Sequence, residues 1–444
     1  MLLRIHRRIQ DIYRRPDMEV PQMRKHNNVS LGRDDDQVHT LNFFKAGKMF
    51  ETVVFAFWAT PFIYSAMTAA GKLAYMVRKK KLGRRKRVSK VIFQIPTIGN
   101  VETCNKIIQT VRSYNLPVQL ETWILIDQKH YKPDMKFDCD VLVVVPEAFE
   151  TSCTFKSKSL EYARRVRLDM YSRGELDDDY IVVQSDDDSV PSKEFMLEAI
   201  EVDADIMIGT ITPRPLGHLV PDYERPVACG MTCLFFTNIG HPVWGHGEGM
   251  VVSSRADRTI SYEPPRSKLI SSEDMFYLHK TSHGLAEDQY ILHNAKRSFK
   301  LFASKHRIYI SPPLTAREMV TQRRRWLWGH IRLIKNRMLP ASSLVTIAIA
   351  ESVGLLVYSG ATASAILVPL GLISLPFHFV VLSYISLALW FGFRGYCVGR
   401  VMGLKHGIRS AVLSFVTVTL NFAYHVIGLI KGDPKRFDVI RKVV

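Results

Sequence analysis

The chain has 444 residues, room for one large domain or two to three ordinary ones, with 47% hydrophobic and 23% charged residues. A net charge of +18 points to phosphate-bearing or membrane-surface partners. The basic residues cluster beside apolar spans, as in Arg78-Lys79-Lys80-Lys81 and Arg84-Arg85-Lys86-Arg87, which argues for positive-inside topology and against a nucleic-acid partner. Six scattered cysteines form no CxxC pair, and only Cys229 and Cys233 lie close together, so they read as reduced thiols of a cytosol-facing domain. Met1 to Gln10 is too charged for a cleaved secretory signal.

Residues 1–49 form a polar, basic segment broken by Pro16, Pro21 and Asp34-Asp35-Asp36. Val53 to Ala70 carries no charge, and a first transmembrane helix is expected over 50–75. The basic run 78–90 then places the downstream side in the cytosol. Residues 91–330 alternate strand and helix. Short apolar runs at 91–95, 122–126, 141–145 and 180–183 predict strands, and 101–114 and 156–173 predict helices. That alternation implies a parallel sheet, whose ligands gather at the carboxyl ends of the strands, where Asp127 and Asp186-Asp187-Asp188 fall. Asp177-Asp178-Asp179 precedes its strand and reads as a turn. From Leu344 to Ile430 the chain is nearly all apolar apart from Arg394 to Arg409, and transmembrane or interfacial helices are expected over 333–430. Both the 394–409 loop and the tail 431–444 are basic, so either a hairpin divides 344–392 into three segments or one segment is interfacial.

Three features carry chemistry. Asp186 and Asp188, alternate carboxylates at a strand end, suit a hard divalent cation whose remaining positions go to substrate phosphates; the bland reading is an acidic turn. Glu287-Asp288 offers a general base, with Glu273-Asp274 as a competing pair and a helix N-terminus as the bland reading. Gln322-Arg323-Arg324-Arg325-Trp326 offers guanidiniums that bind phosphate and a flat ring that stacks on a sugar. The same stretch also fits a membrane flank, with Arg in the headgroups and Trp at the interface.

In this order, the motifs resemble those of family 2 inverting glycosyltransferases of the membrane-embedded kind that includes cellulose and hyaluronan synthases. The resemblance covers roughly residues 90–330 and is strongest to egghead-type β-1,4-mannosyltransferases. It implies an α/β fold: a GT-A-type (Rossmann-like) cytosolic catalytic domain over 76–332, with a mixed, mostly parallel sheet, plus α-helical transmembrane segments. By this resemblance Asp127 contacts the nucleotide base, and Lys156, in Lys156-Ser157-Lys158-Ser159-Leu160, lies near the nucleotide. Ser157 and Ser159 stand where small Ala residues are usual, and Lys158 competes for the lysine role. Asp186 and Asp188 match the metal-binding Asp-x-Asp element with Asp187 beside the donor. Gly247 and Gly249 match glycines at the acceptor site, where backbone approaching a sugar would explain their lack of side chains. Glu287 and Trp326 also face the acceptor, and Asp288 matches the catalytic base, although Ala286 replaces the usual Thr. Gln322, Arg325 and Trp326 match the Gln-x-x-Arg-Trp motif and hold the donor. Ile95-Pro96-Thr97-Ile98-Gly99-Asn100 occupies the first nucleotide loop but lacks the usual Tyr-Asn-Glu run.

The resemblance implies Mn2+ or Mg2+ as cofactor and a nucleotide-diphosphate sugar, GDP-mannose or a UDP-sugar, as donor. The acceptor is then a lipid-linked sugar or glycan at a membrane face, and the chain a multi-pass protein bathed in membrane lipid (the cell membrane in a prokaryotic host). A processive synthase that exports its polymer shares these motifs but carries more spans. A non-catalytic basic membrane protein would show clustered charge without the ordered carboxylates.

Overall fold

Strand β1 (Lys90–Thr97) is buried at every position after Lys90, which is why its sequence runs apolar without alternation. The structure, a computed structural model, describes residues 66–67, 69–153, 156–214, 223, 233–242, 247–263, 298–313, 315–335, 345, 370–371 and 377–433. A helix over 69–82, α1, precedes β1. After β1 come α2 (Val101–Arg112), β2 (Gln119–Asp127), β3 (Val141–Val145), α3 (Lys156–Ser172), β4 (Tyr180–Gln184), β5 (Ser189–Pro191) and α4 (Lys193–Glu201). Then follow β6 (Ile206–Pro213), a π-helical turn at Cys233–Thr237, β7 (Met250–Ser253), α5 (Ser254–Thr259), β8 (Leu301–Ile310) and α6 (Ala316–Lys335). Three helices end the described chain: α7 (Phe377–Met402), α8 (Leu404–Val412) and α9 (Ser414–Ile430).

The eight strands form one sheet in the order β3-β2-β1-β4-β7-β6-β8-β5. The first four elements of that order are parallel to one another. β7 then runs antiparallel to β4 and β6, β8 returns parallel to β6, and β5 closes antiparallel to β8. The sheet is therefore mixed and mostly parallel, as expected. Parallel registers bring the ends of β1, β2 and β4 to a common edge: Thr97 pairs with Ile126, one residue before Asp127, and Gln94 pairs with Gln184, two before Asp186.

The helices follow from their apolar spacing. α2 buries Cys104, Ile107, Ile108 and Val111, the i, i+3, i+4, i+7 stripe of a helix on a sheet. α4 is capped by Ser192, which accepts from the Phe195 N–H, and α5 by Ser253, which accepts from Ala256 N–H. α3 differs, since its buried face includes Ser157, Ser159, Glu161, Arg164 and Arg167. Those polar groups are the supports of the site below.

α1 runs through the boundary at 75/76 expected between membrane helix and domain. Tyr75 is buried in the core, 5.5 Å from Phe302 between ring centroids. Its hydroxyl donates to Glu198 Oε1 at 2.6 Å, as does the Lys79 ammonium. Part of the basic run 78–90 is likewise spent within the molecule: Arg78 Nε donates to the Leu301 carbonyl, Arg85 to that of Ala204, and Arg87 pairs with Asp179. The Asp177–Asp179 stretch forms a turn as expected, with Asp179 accepting from Ser89 and Asp178 from Arg258.

At the C-terminal end, α7 and α8 touch through glycines: a Cβ on Gly407 would stand 2.6 Å from the Gly395 carbonyl and 2.8 Å from Gly399 Cα. Most of the expected spans, in 50–75 and 333–376, lie outside the described residues. Among the described residues no single helix is long and apolar enough to cross a membrane; α8 and α9 together reach that length and apolarity, bent by 70°.

Candidate active site

The common edge of β1, β2 and β4 gathers Asp127, Lys156 and the 186–188 triplet. Lys156 opens α3 and donates to Asp186 Oδ1, joining the lysine motif to the acidic triplet. Lys158 instead reaches back to the carbonyls of Pro146 and Glu147, at 3.3 and 3.5 Å, so the lysine facing the triplet is Lys156. One turn along, Ser159 Oγ donates to Asp127 Oδ1 at 3.0 Å. The hydroxyl that replaces a small apolar residue thus fixes the strand-end carboxylate, a connection with no sequence signal beyond the substitution itself.

The triplet divides its labour. Asp187 is 4% exposed and turned inward, where Oδ2 accepts from Thr97 Oγ1 at 2.9 Å and Asn100 Nδ2 at 2.6 Å. Thr97 Oγ1 in turn accepts from the Gly99 and Asn100 N–H groups, both at 3.1 Å. Gly99 has φ +111°, in the left-handed region that favours glycine. Asp187 therefore shapes the 97–100 loop. Asp186 and Asp188 remain as alternate carboxylates at the end of β4. Among the described residues no group of three or more His, Cys, Asp or Glu gathers to cage an ion. Two carboxylates with substrate phosphates completing the shell is a donor set that Mg2+ or Mn2+ accepts, so these residues fit such an ion.

A buried polar layer supports this edge. Arg167, 1% exposed, forks onto Asp257 with both contacts at 2.8 Å and donates to Gln94 Oε1 at 2.8 Å. Tyr180 OH donates to the same Asp257 at 2.9 Å. Burial works to raise the Glu161 carboxyl, but the Arg164 fork and the Tyr262 N–H hold it below the usual carboxylate range. Tyr262 OH donates to Gln184 Oε1 at 3.0 Å, and Gln184 Nε2 to the Gly247 carbonyl at 3.2 Å. None of Arg167, Asp257, Gln94, Gln184 or Tyr262 was singled out by sequence reading, because their partners lie 63 to 101 residues away.

Gly247 and Gly249 both lie beside Gln184, whose carbonyl accepts from the Gly249 N–H at 2.8 Å. Gly249 has φ +92°, and a Cβ there would stand 2.5 Å from Ile308. Packing and backbone conformation thus require glycine at this position.

The arginine-rich motif sits in α6. The Ser311 N–H donates to the Asp188 carbonyl at 3.1 Å, so the segment leading into α6 is tied to the acidic triplet. Gln322 and Arg323 are buried, Arg325 and Trp326 half-buried. Arg323 lies over the Trp326 ring at 4.8 Å. Arg324 turns toward the end of α9, where it donates to the Gly432 and Asp433 carbonyls. Glu287 and Asp288, with the competing Glu273 and Asp274, lie outside the described residues. Cys104, Cys139, Cys153 and Cys397 are thiols, and burial pushes that of Cys153 up to about 12.

Residues 180–397 match the family model described as Glycosyl transferase family group 2. No curated protein matches the chain. Among solved structures, the mannosyltransferase PcManGT from Pyrobaculum calidifontis, in complex with GDP-Man and Mn2+, is similar at 14% identity and a TM-score of 0.44, covering 82% of this chain and 98% of that one. TarS 1–349 from S. aureus is similar at 10% identity and a TM-score of 0.28, covering 79% and 94%. Its complex with UDP gives 10% identity and a TM-score of 0.30 over the same shares.

Proposed function

We propose, for a chain that carries a glycosyltransferase family 2 domain in a GT-A-like α/β fold, an inverting transfer from a nucleotide-diphosphate sugar to a lipid-linked or glycan acceptor at a membrane face. One observation carries it: Asp127, Lys156 and the 186–188 triplet meet at one sheet edge, and the α6 lead-in is tied to that triplet. Asp127, oriented by Ser159, hydrogen-bonds the nucleotide base, GDP-mannose or a UDP-sugar being the donor. Lys156 and Arg325 offset negative charge on the diphosphate, and Gln322 and Trp326 hold its sugar end. Asp186 and Asp188 would hold Mg2+ or Mn2+, which supplies charge stabilisation to the departing diphosphate when bound.

Asp288 takes the proton from the acceptor hydroxyl, and the oxygen displaces the nucleotide diphosphate from the opposite face, giving a β-linkage. Gly247, Glu287 and Trp326 border the acceptor. The apolar blocks at 50–75 and 344–430 support a multi-pass membrane protein, its catalytic domain on the cytosolic side below the basic run 78–90.

The test is nucleoside diphosphate release by Asp288→Asn, with folding and donor binding measured in parallel. General-base assistance is worth about 10² to 10⁴-fold, and a loss of that size is expected. Near-normal transfer with Asn in place would remove Asp288 from the reaction.

A further inference from the structure

The helix that carries Gln322, Arg325 and Trp326 is held by the far end of the chain. α9 ends at Ile430, and Gly432 follows with φ +68°, the left-handed turn that commonly closes a helix. This turn points two carbonyls at α6: Arg324 Nε donates to Gly432 O at 2.6 Å and Nη2 to Asp433 O at 3.1 Å. Eight residues on, Arg332 forks onto the Asp433 carboxylate, Nε to Oδ2 at 2.9 Å and Nη2 to Oδ1. Arg332 is 8% exposed, so this is a planar, two-pronged pair largely shielded on its cationic side. One turn back, Gly428 sets the spacing, since a Cβ there would stand 3.1 Å from both Cα and N of Arg324.

We propose that Gly428 and Asp433, both beyond the residues 180–397 matched by the family model, are positioning residues that fix α6 in place for the transfer step. Arg324 and Arg332 are the α6 half of the clamp. Arg324 lies between Arg323 and Arg325 in sequence, so a rotation or shift of α6 at Arg324 moves its motif neighbours by a comparable distance. A displacement of about 1 Å at a remote support can cost about 10²-fold in rate. This inference rests on placing Gln322, Arg325 and Trp326 at the donor.

The experiment is steady-state nucleoside diphosphate release by the full chain in membranes. The variants are Asp433→Ala, Asp433→Asn, Asp433→Glu, the reciprocal pair Arg332→Asp with Asp433→Arg, and Arg325→Ala. Asp433→Ala is expected to lower kcat about 10- to 100-fold with donor KM unchanged. Asp433→Asn keeps the shape and one acceptor, so it falls between Ala and the parent even where Ala fails to fold. Asp433→Glu and the reciprocal pair recover activity, which a general loss of folded protein would not allow. Parental kcat in Asp433→Ala and Asp433→Asn, with Arg325→Ala inactive, overturns the clamp and leaves the donor assignment standing. Parental kcat in Arg325→Ala overturns the donor assignment and the clamp with it.

Discussion

Asp187 shows how one carboxylate in a run of three can serve a role its neighbours do not. Its oxygen holds two donors from the 97–100 loop while buried, so removing it strands Thr97 and Asn100. Hydrogen bonds to a charged group are worth about 1.5–3 kcal/mol each, and about 1.4 kcal/mol is tenfold in affinity. Asp187→Ala is therefore expected to weaken donor binding about tenfold or more, read by titration of the nucleotide sugar. Unchanged affinity would separate the loop from the donor. At this scale the sequence was a partial guide. Asp127, Asp186 and Asp188 were legible at strand ends, and Lys156 through the resemblance alone. Ser159 and the Arg167–Asp257 pair were not, since a buried polar group is recognisable only once its partner is near.

Among the elements, α1 is tied to α4 through one carboxylate, that of Glu198. Glu198 is 2% exposed and accepts from Tyr75, Lys79 and Ser304, with His306 Nε2 3.9 Å away. Burial tends to raise its carboxyl, yet those donors and the Lys79 charge hold it below the ordinary 4.5. His306 is depressed by its own burial below 6.5, so it does not add a cation at neutral pH. A depressed carboxyl stabilises the fold fully above its ordinary value, and that contribution is lost as pH falls through the folded value. Glu198→Gln should cost about 2 kcal/mol at neutral pH, with the deficit closing on acidification. Thermal melts of parent and variant down to about pH 3 provide the measurement; parallel curves would contradict the assignment. The legibility of elements follows the same physics. β1 to β4 stand out as continuous apolar runs, whereas β7 has only four residues and β8 is interrupted by Lys305, His306 and Arg307 at its less buried middle.

For the whole molecule, the charge of +18 is divided between two uses. Arg78, Lys79, Arg85, Arg167 and Arg332 hold the protein together, while Lys80, Lys81, Arg84 and Arg87 lie toward the surface, Arg87 in an exposed pair with Asp179. The positive-inside reading of 78–90 therefore rests on fewer residues than the sequence offers. Stable insertion predicts that alkaline carbonate washing leaves the chain in the membrane pellet; release into the supernatant would restrict it to the surface.

Ile308 gives the sheet a further property. A Cβ on Gly209 or on Gly249 would stand 2.5 Å from its side chain, so one isoleucine fills the space vacated by two glycines on β6 and at the start of β7. The three positions share a single volume, and none can change independently. A larger residue at Gly209 demands a smaller one at 308, so that pair changes only by compensated substitution, while the φ of +92° keeps glycine at 249 whatever stands at 308.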